Sequence, residues 1–171
     1  GKMVMPGFHD VHLHPLESGS NNNHFALDYL EGDPENYIDV IAQAAQDFPH
    51  EPWLVGFGHD INTLMDAQRN PADILDDAEP HRPVIVMEKT SHSMWVNSKA
   101  LVLLGFNKKS NNPVGGVILK DQFTGIPNGI LIDNAGEIAM HLAMKSTPLR
   151  RQNDYDGMVD DTLPAFAKHG I

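Results

Sequence analysis

The 171-residue sequence predicts an α/β fold built on a mixed sheet with flanking helices. Three observations carry that expectation. Short apolar runs of strand length stand at 53–57 and 84–87, bounded by prolines and polar residues. Two further strand-like runs, 116–120 and 129–133, are joined through Thr124-Gly125-Ile126-Pro127-Asn128. Between the runs lie segments with helical spacing that open on recognisable caps.

Taken in order, the chain opens with an apolar run at 3–5, broken by Pro6-Gly7, and a His/Asp-rich stretch through His14. Residues 15–24 read as loop. Asp33-Pro34-Glu35 starts a helix, with Asp as cap, Pro at the first helical position and acid at the positive end of the dipole. It should run to about Phe48, burying Ile38, Ile41, Ala42, Ala45 and Phe48. The strand at 53–57 is followed by Gly58-His59-Asp60. Asn70-Pro71 opens a second helix ending near Ala78, and the strand at 84–87 follows Pro83. Asn97 caps a short helix over 98–104 that Gly105 stops, and 107–113 is polar loop. Asn134 with Glu137 resembles a capping box for a helix to about Met144. Thr147-Pro148 starts a last helix, kinked at Pro164 and stopped by Gly170.

Composition narrows the function classes. Acidic residues exceed basic ones by 23 to 12, a formal charge of −11, which argues against nucleic acid and anionic membranes as partners. There is no cysteine, so disulfides, thiolate metal sites and cysteine nucleophiles are excluded. No apolar run is long enough to span a bilayer. No signal peptide is visible, because Gly1-Lys2 leads straight into the first strand-like run, and the opening reads as the interior of a longer protein. The compartment defaults to cytoplasmic.

The residues that carry chemistry begin at Asp10-Val11-His12-Leu13-His14. On an extended strand Asp10, His12 and His14 share one face. Two imidazoles at i and i+2 can converge on one cation, with the carboxylate in support. Alone, H-x-H is a weak signal, and the pair reads first as the polar, solvent-facing side of a half-buried strand. His9 is rim or structural.

The segment Val4-Met5-Pro6-Gly7-Phe8-His9-Asp10-Val11-His12-Leu13-His14 resembles the first barrel strand of the metal-dependent amidohydrolase superfamily: an apolar strand, P-G-[FL], D, then H-x-H. Arg82-Pro83-Val84, followed by His92-Ser93-Met94-Trp95-Val96-Asn97-Ser98-Lys99-Ala100-Leu101, is similar to the H-S-x-W-V-N-S-x-A-L segment of its YtcJ-like, N-substituted formamide deformylase branch. Gly115-Gly116-Val117-Ile118, Gly125 and Gly129-Ile130-Leu131 look like that branch's glycine-punctuated stretch. The end, 165–171, resembles a barrel helix leading into the next strand. Where many relatives carry aspartate and glycine before the histidine, this sequence has Thr90-Ser91-His92.

The resemblance implies a (β/α)₈ barrel, which needs ~250 residues on its own. On that reading 1–24 hold the first barrel strand with the histidine pair and the following loop. Residues 25–146 form an α/β insertion domain, and 147–171 the first barrel helix, stopping as the second strand begins. His12 and His14 would hold zinc or another divalent ion, which lowers the pKa of its bound water toward ~7. The remaining ligands and the base come from later strands in that family and cannot be assigned here, so the metal should be weakly held or absent and these residues inactive alone. The reaction implied is hydrolysis of a C–N bond in a small-molecule amide or formamide. A small hydrolase completed by oligomerisation, and a non-enzymatic module with incidental histidines, are the alternatives. A homodimer would cover exposed barrel-facing surfaces.

Further pocket candidates are His59 and Asp60, at the end of a strand, and His92, between a buried run and a capped helix. Asn97 is an N-cap before it is a substrate contact, and Trp95 is core before it is a pocket wall. Lys89 reads as a surface lysine. Asp154, Asp156, Asp160 and Asp161 read as one solvated helix face, not a calcium loop.

Overall fold

A computed structural model describes residues 4–16, 23–30 and 33–171, with backbone alone over 148–151. The chain divides into two compact units, one of residues 23–147 and one of 1–22 with 148–171. Part of the run at 3–5, and most of the loop at 15–24, lie outside the described residues.

In the larger unit the helical and strand signals alternate, and the result is one six-stranded sheet in the order β1-β2-β3-β4-β6-β5. Its strands are β1 (Phe25–Ala26), β2 (Leu54–His59), β3 (Val84–Glu88), β4 (Ser93–Val96), β5 (Gly116–Lys120) and β6 (Pro127–Asp133). The first three run parallel, and β4, β5 and β6 pair antiparallel. Parallel neighbours need crossovers, which α1 (Tyr37–Asp47), α2 (Ile61–Met65) and α3 (Pro71–Ala78) supply. The shorter α4 (Ser98–Leu104) and the long α5 (Asn134–Ser146) follow β4 and β6.

Strand side chains alternate between two cores. Leu54, Val84, Val86, Trp95 and Ile130 face α1 and α3 through Tyr37, Ile41, Ile74 and Leu75. Val55, Ile85, Met94, Val96 and Leu131 face α4 and α5 through Ala100, Leu101, Ala135, Ala139 and Ala143. Both sheet faces are covered, which is why these strands read as continuous apolar runs and not as alternating ones.

The caps at Asp33, Asn70 and Asn97 form as their residue types demand, each accepting a backbone N–H of the following turn at 2.9–3.0 Å. Three expectations are corrected. A 3₁₀ turn at Pro34–Asn36 precedes α1, so its buried face is set by Tyr37, Ile41 and Ala44. Phe48 is exposed and lies against His24, with ring centroids 4.6 Å apart. Strand β4 was not anticipated, because its apolar core of three residues is too short to stand out between two polar flanks. The third concerns α5, whose cap position is Asp133 and not Asn134. Asp133 makes no capping bond, and the Asn134 amide donates instead to the Val114 carbonyl at 2.8 Å.

In the smaller unit, α6 (Pro148–Gly157) runs through a π turn at Met158–Thr162 into α7 (Leu163–His169). Pro164 has no N–H to give the ladder, and the bond before it reaches back five residues, from Leu163 N–H to the Met158 carbonyl. Gly170 ends the helix in the left-handed region at φ 86°. Residues 4–14 form no strand, contrary to expectation: their one ladder-like bond is Phe8 N–H to the Gly170 carbonyl. A lone strand without a paired neighbour has nowhere to place its backbone groups. Asp154 is buried, not part of a solvated acidic face. Among the described residues no helix is long and apolar enough to cross a membrane.

Candidate functional site

The histidine pair stands in the smaller unit. Asp10 accepts the backbone N–H of His12 at 3.0 Å, a local turn that fixes the chain leading into His12. The rings of His12 and His14 meet edge to face with centroids 5.0 Å apart, and their Nε2 atoms are 3.2 Å apart. Either one neutral ring donates to the other, or both lone pairs turn onto a shared cation. Two nitrogens each ~2.0–2.1 Å from a tetrahedral zinc stand about 3.3 Å apart, so the observed spacing fits that use. Carboxylate Asp10 supports the backbone and does not meet the imidazoles. Among the described residues no three His, Asp or Glu side chains gather as a metal cluster.

A second polar group lies in the larger unit, at the carboxyl ends of β2 and β3, where open α/β sheets bind ligands. His59 ends β2 and is completely buried, its ring 6.0 Å from that of Trp95, and neither ring nitrogen has a hydrogen-bond partner. Burial drives its pKa down to about 4, partly offset by nearby backbone of Ser93 and by Asp60. Asp60 caps α2 through Asn62 N–H at 2.9 Å and pairs with Lys89 at 2.5 Å. That lysine holds the Asp60 carboxyl below its ordinary range, and the carboxylate raises the ammonium in turn. Tyr37, buried beneath, is pushed up by burial and then by the Asp60 charge. Glu88, at the end of β3, accepts the Ser93 hydroxyl at 2.9 Å, both side chains being buried.

The neighbouring antiparallel strands add a third couple. His92 precedes β4 and Asp133 ends β6, and His92 Nδ1 lies 3.3 Å from an Asp133 carboxylate oxygen. His59, Asp60 and His92 are therefore at one end of the sheet, joined by Glu88, Lys89, Ser93 and Asp133, which the sequence reading did not single out as site residues. The cue for Asp133 is its place at a strand-to-helix junction, where the capping-box pattern points to its neighbour Asn134 instead. Asn97 is at the opposite end of β4 and wholly occupied. Its oxygen accepts Val84 N–H and Ala100 N–H at 3.0 Å, and its amide donates to the carbonyls of Glu79 and Arg82 at 3.0 and 2.8 Å. Trp95 is core, its indole N–H donating to the Pro71 carbonyl at 2.8 Å. Lys89 is half-exposed and paired.

The Amidohydrolase family model matches residues 1–171. The chain is 33% identical over 168 residues to YtcJ of Bacillus subtilis (strain 168), covering 98% of this chain and 30% of that protein. It is 29% identical over 167 residues to the N-substituted formamide deformylase of Arthrobacter pascens, covering 94% of this chain and 29% of the relative. In fold it is similar to crystal structures of uncharacterized metal-dependent hydrolases. One, from Pyrococcus horikoshii OT3, has a TM-score of 0.55 at 21% identity, over 91% of this chain and 29% of that one. The other, from Pyrococcus furiosus, has a TM-score of 0.56 at 21% identity, over 90% and 29%. The chain thus spans under a third of the length of these relatives. With the family model matched from end to end, this chain belongs to the Amidohydrolase family.

Proposed function

We propose that these residues supply the first two metal-holding side chains, His12 and His14, of a hydrolase that cleaves C–N bonds in small amide- or formamide-type molecules. The observation that carries the reading is the 3.2 Å spacing of the two Nε2 atoms. Family membership and the N-substituted formamide deformylase among the relatives support the reaction class. A catalytic zinc takes three protein ligands and a water, so the pair is part of a set completed by side chains beyond these residues. On this reading 1–24 and 147–171 are pieces of an incomplete barrel, the first taking up its strand only when neighbouring barrel strands pair with it, and 25–146 are inserted between them.

When bound, zinc or a similar divalent ion would supply a water acidic enough to ionise near neutrality and a positive charge for the substrate carbonyl. The chain's own part is to orient. Asp10 pins the His12 amide. The bare Gly7 admits the Gly170 carbonyl, which would stand 2.9 Å from any Cβ placed there. Val4, Phe8 and Val11 are exposed, a face that the rest of a barrel or a second copy of the chain would cover.

The test is turnover of N-substituted formamides and N-acyl amines by the 171 residues with and without added zinc. No hydrolysis is expected, because base and remaining ligands are missing. Zinc-dependent turnover that His14→Ala abolishes would mean that these residues form a whole site, and the partial-site reading would fail.

A further inference from the structure

Asp133 is placed at a cost that its contacts do not return. Its backbone lies at φ 48°, ψ −124°, a region that side chains with a Cβ rarely enter. Such a backbone is strained and persists only where the surroundings hold it. It also occupies the cap position of the thirteen-residue helix α5 without capping it, forgoing the stabilisation a capping carboxylate gives. What the carboxylate does instead is face His92, whose side chain is 79% exposed. A pair that open to water adds little to stability. Strain and a forgone cap against an exposed pair make the arrangement a net loss to the fold.

The chemistry of the pair is specific, however. An ionised carboxylate only accepts hydrogen bonds, so the hydrogen between the two belongs to His92 Nδ1. That leaves the lone pair on Nε2, at the exposed edge of the ring. The backbone holds the pair together as well, Asp133 N–H donating to the His92 carbonyl at 2.9 Å. The couple stands at the same sheet end as the unpartnered, buried His59, where ligands of open α/β sheets are bound.

We propose that His92 and Asp133 form a proton-handling dyad, in which Asp133 fixes the imidazole so that Nε2 meets the N–H or O–H of a small neutral molecule. The Nε2 lone pair accepts the hydrogen of that group, and the carboxylate, through Nδ1–H, supports the positive charge that gathers on the ring as the hydrogen bond forms. No other reactant is needed. The dyad belongs to the larger unit and stands or falls apart from the metal reading.

The test uses the metal-free 171-residue chain with Asp133→Gly, Asp133→Asn and His92→Gln. Asp133→Gly should raise the thermal midpoint by a few degrees, since strain is lost and nothing stabilising goes with it. Nitrogen-15 spectra should place the His92 hydrogen on Nδ1 in the parent chain and on Nε2 in Asp133→Asn. Diethylpyrocarbonate should acylate His92 several-fold faster than the exposed His50, an excess that Asp133→Asn removes. Adding N-benzylformamide as an amide N–H probe should move the His92 ring signals along a saturable curve that Asp133→Asn abolishes. A lowered midpoint in Asp133→Gly would make the pair merely structural. An Nε2–H ring in the parent chain, acylation no faster than at His50, or no saturable shift would each overturn the dyad.

Discussion

A fully buried imidazole whose two ring nitrogens lack hydrogen-bond partners makes the stability of the larger unit depend on acid. His59 titrates near 4 in the fold and near 6.5 when unfolded. Its contribution is therefore complete above about pH 6.5 and is lost as pH falls from there through 4, in total ~3 kcal/mol. Urea unfolding at pH 7.5 and 4.5 should show the loss, and His59→Phe should flatten it; an unchanged pH dependence in that variant would place the acid sensitivity elsewhere. Ser91 is a second such residue. It sits at φ 64° in the turn between β3 and β4, and an L side chain there costs roughly 1 kcal/mol. Ser91→Gly should raise the unfolding free energy by about that amount. Neither feature was legible beforehand: His59 reads like any polar residue after a strand, and a residue's φ is set by the turn it closes. Asn97 was legible, because N-cap chemistry is local, but the two carbonyls its amide also ties belong to residues 15 and 18 positions away.

Elements were read well where their signals are local. Helices α3 and α4 have the limits that Asn70-Pro71, Asn97 and Gly105 imply, since cap and stop lie next to the turns they govern. Strand β4 escaped because it is recognised by its neighbours β3 and β6, not by its own length. The start of α5 was misread because Asp133 serves His92 and not the helix. The joint between α1 and the sheet also depends on distant partners. Arg82 donates to the carbonyls of Ala45 and Phe48 at the end of α1, to that of Glu51, and to Glu79. Burial would raise the Glu79 carboxyl, but the amides of His81 and Arg82 and the guanidinium more than offset it and hold it low. A lysine cannot reproduce that fork of donors. Arg82→Lys should therefore cost about 2–3 kcal/mol in denaturant unfolding, with several carbonyls left unpaired; a loss under 0.5 kcal/mol would show that water replaces the clamp.

At the scale of the whole molecule the chain is two units of different character. Residues 23–147 bury both faces of a sheet and have their own core. In the unit of 1–22 and 148–171 several large apolar side chains stand open, Val4 and Val11 at 95% and 96% exposure. The mixed sheet was legible from the spacing of apolar runs, but not the irregular backbone of 4–14, because a strand signal reports a segment's preference and a ladder requires a neighbour. The histidine pair was legible as a spacing, and its meaning rests on whether both rings serve one ion. Zinc titration followed through the histidine ring resonances tests that most directly. His12 and His14 should shift together along one weak, saturable curve, reversed by dialysis, and His12→Ala should remove the response of His14 as well. Independent curves for the two rings, or a His14 response untouched by His12→Ala, would show that the pair does not share a metal and would contradict the proposed function.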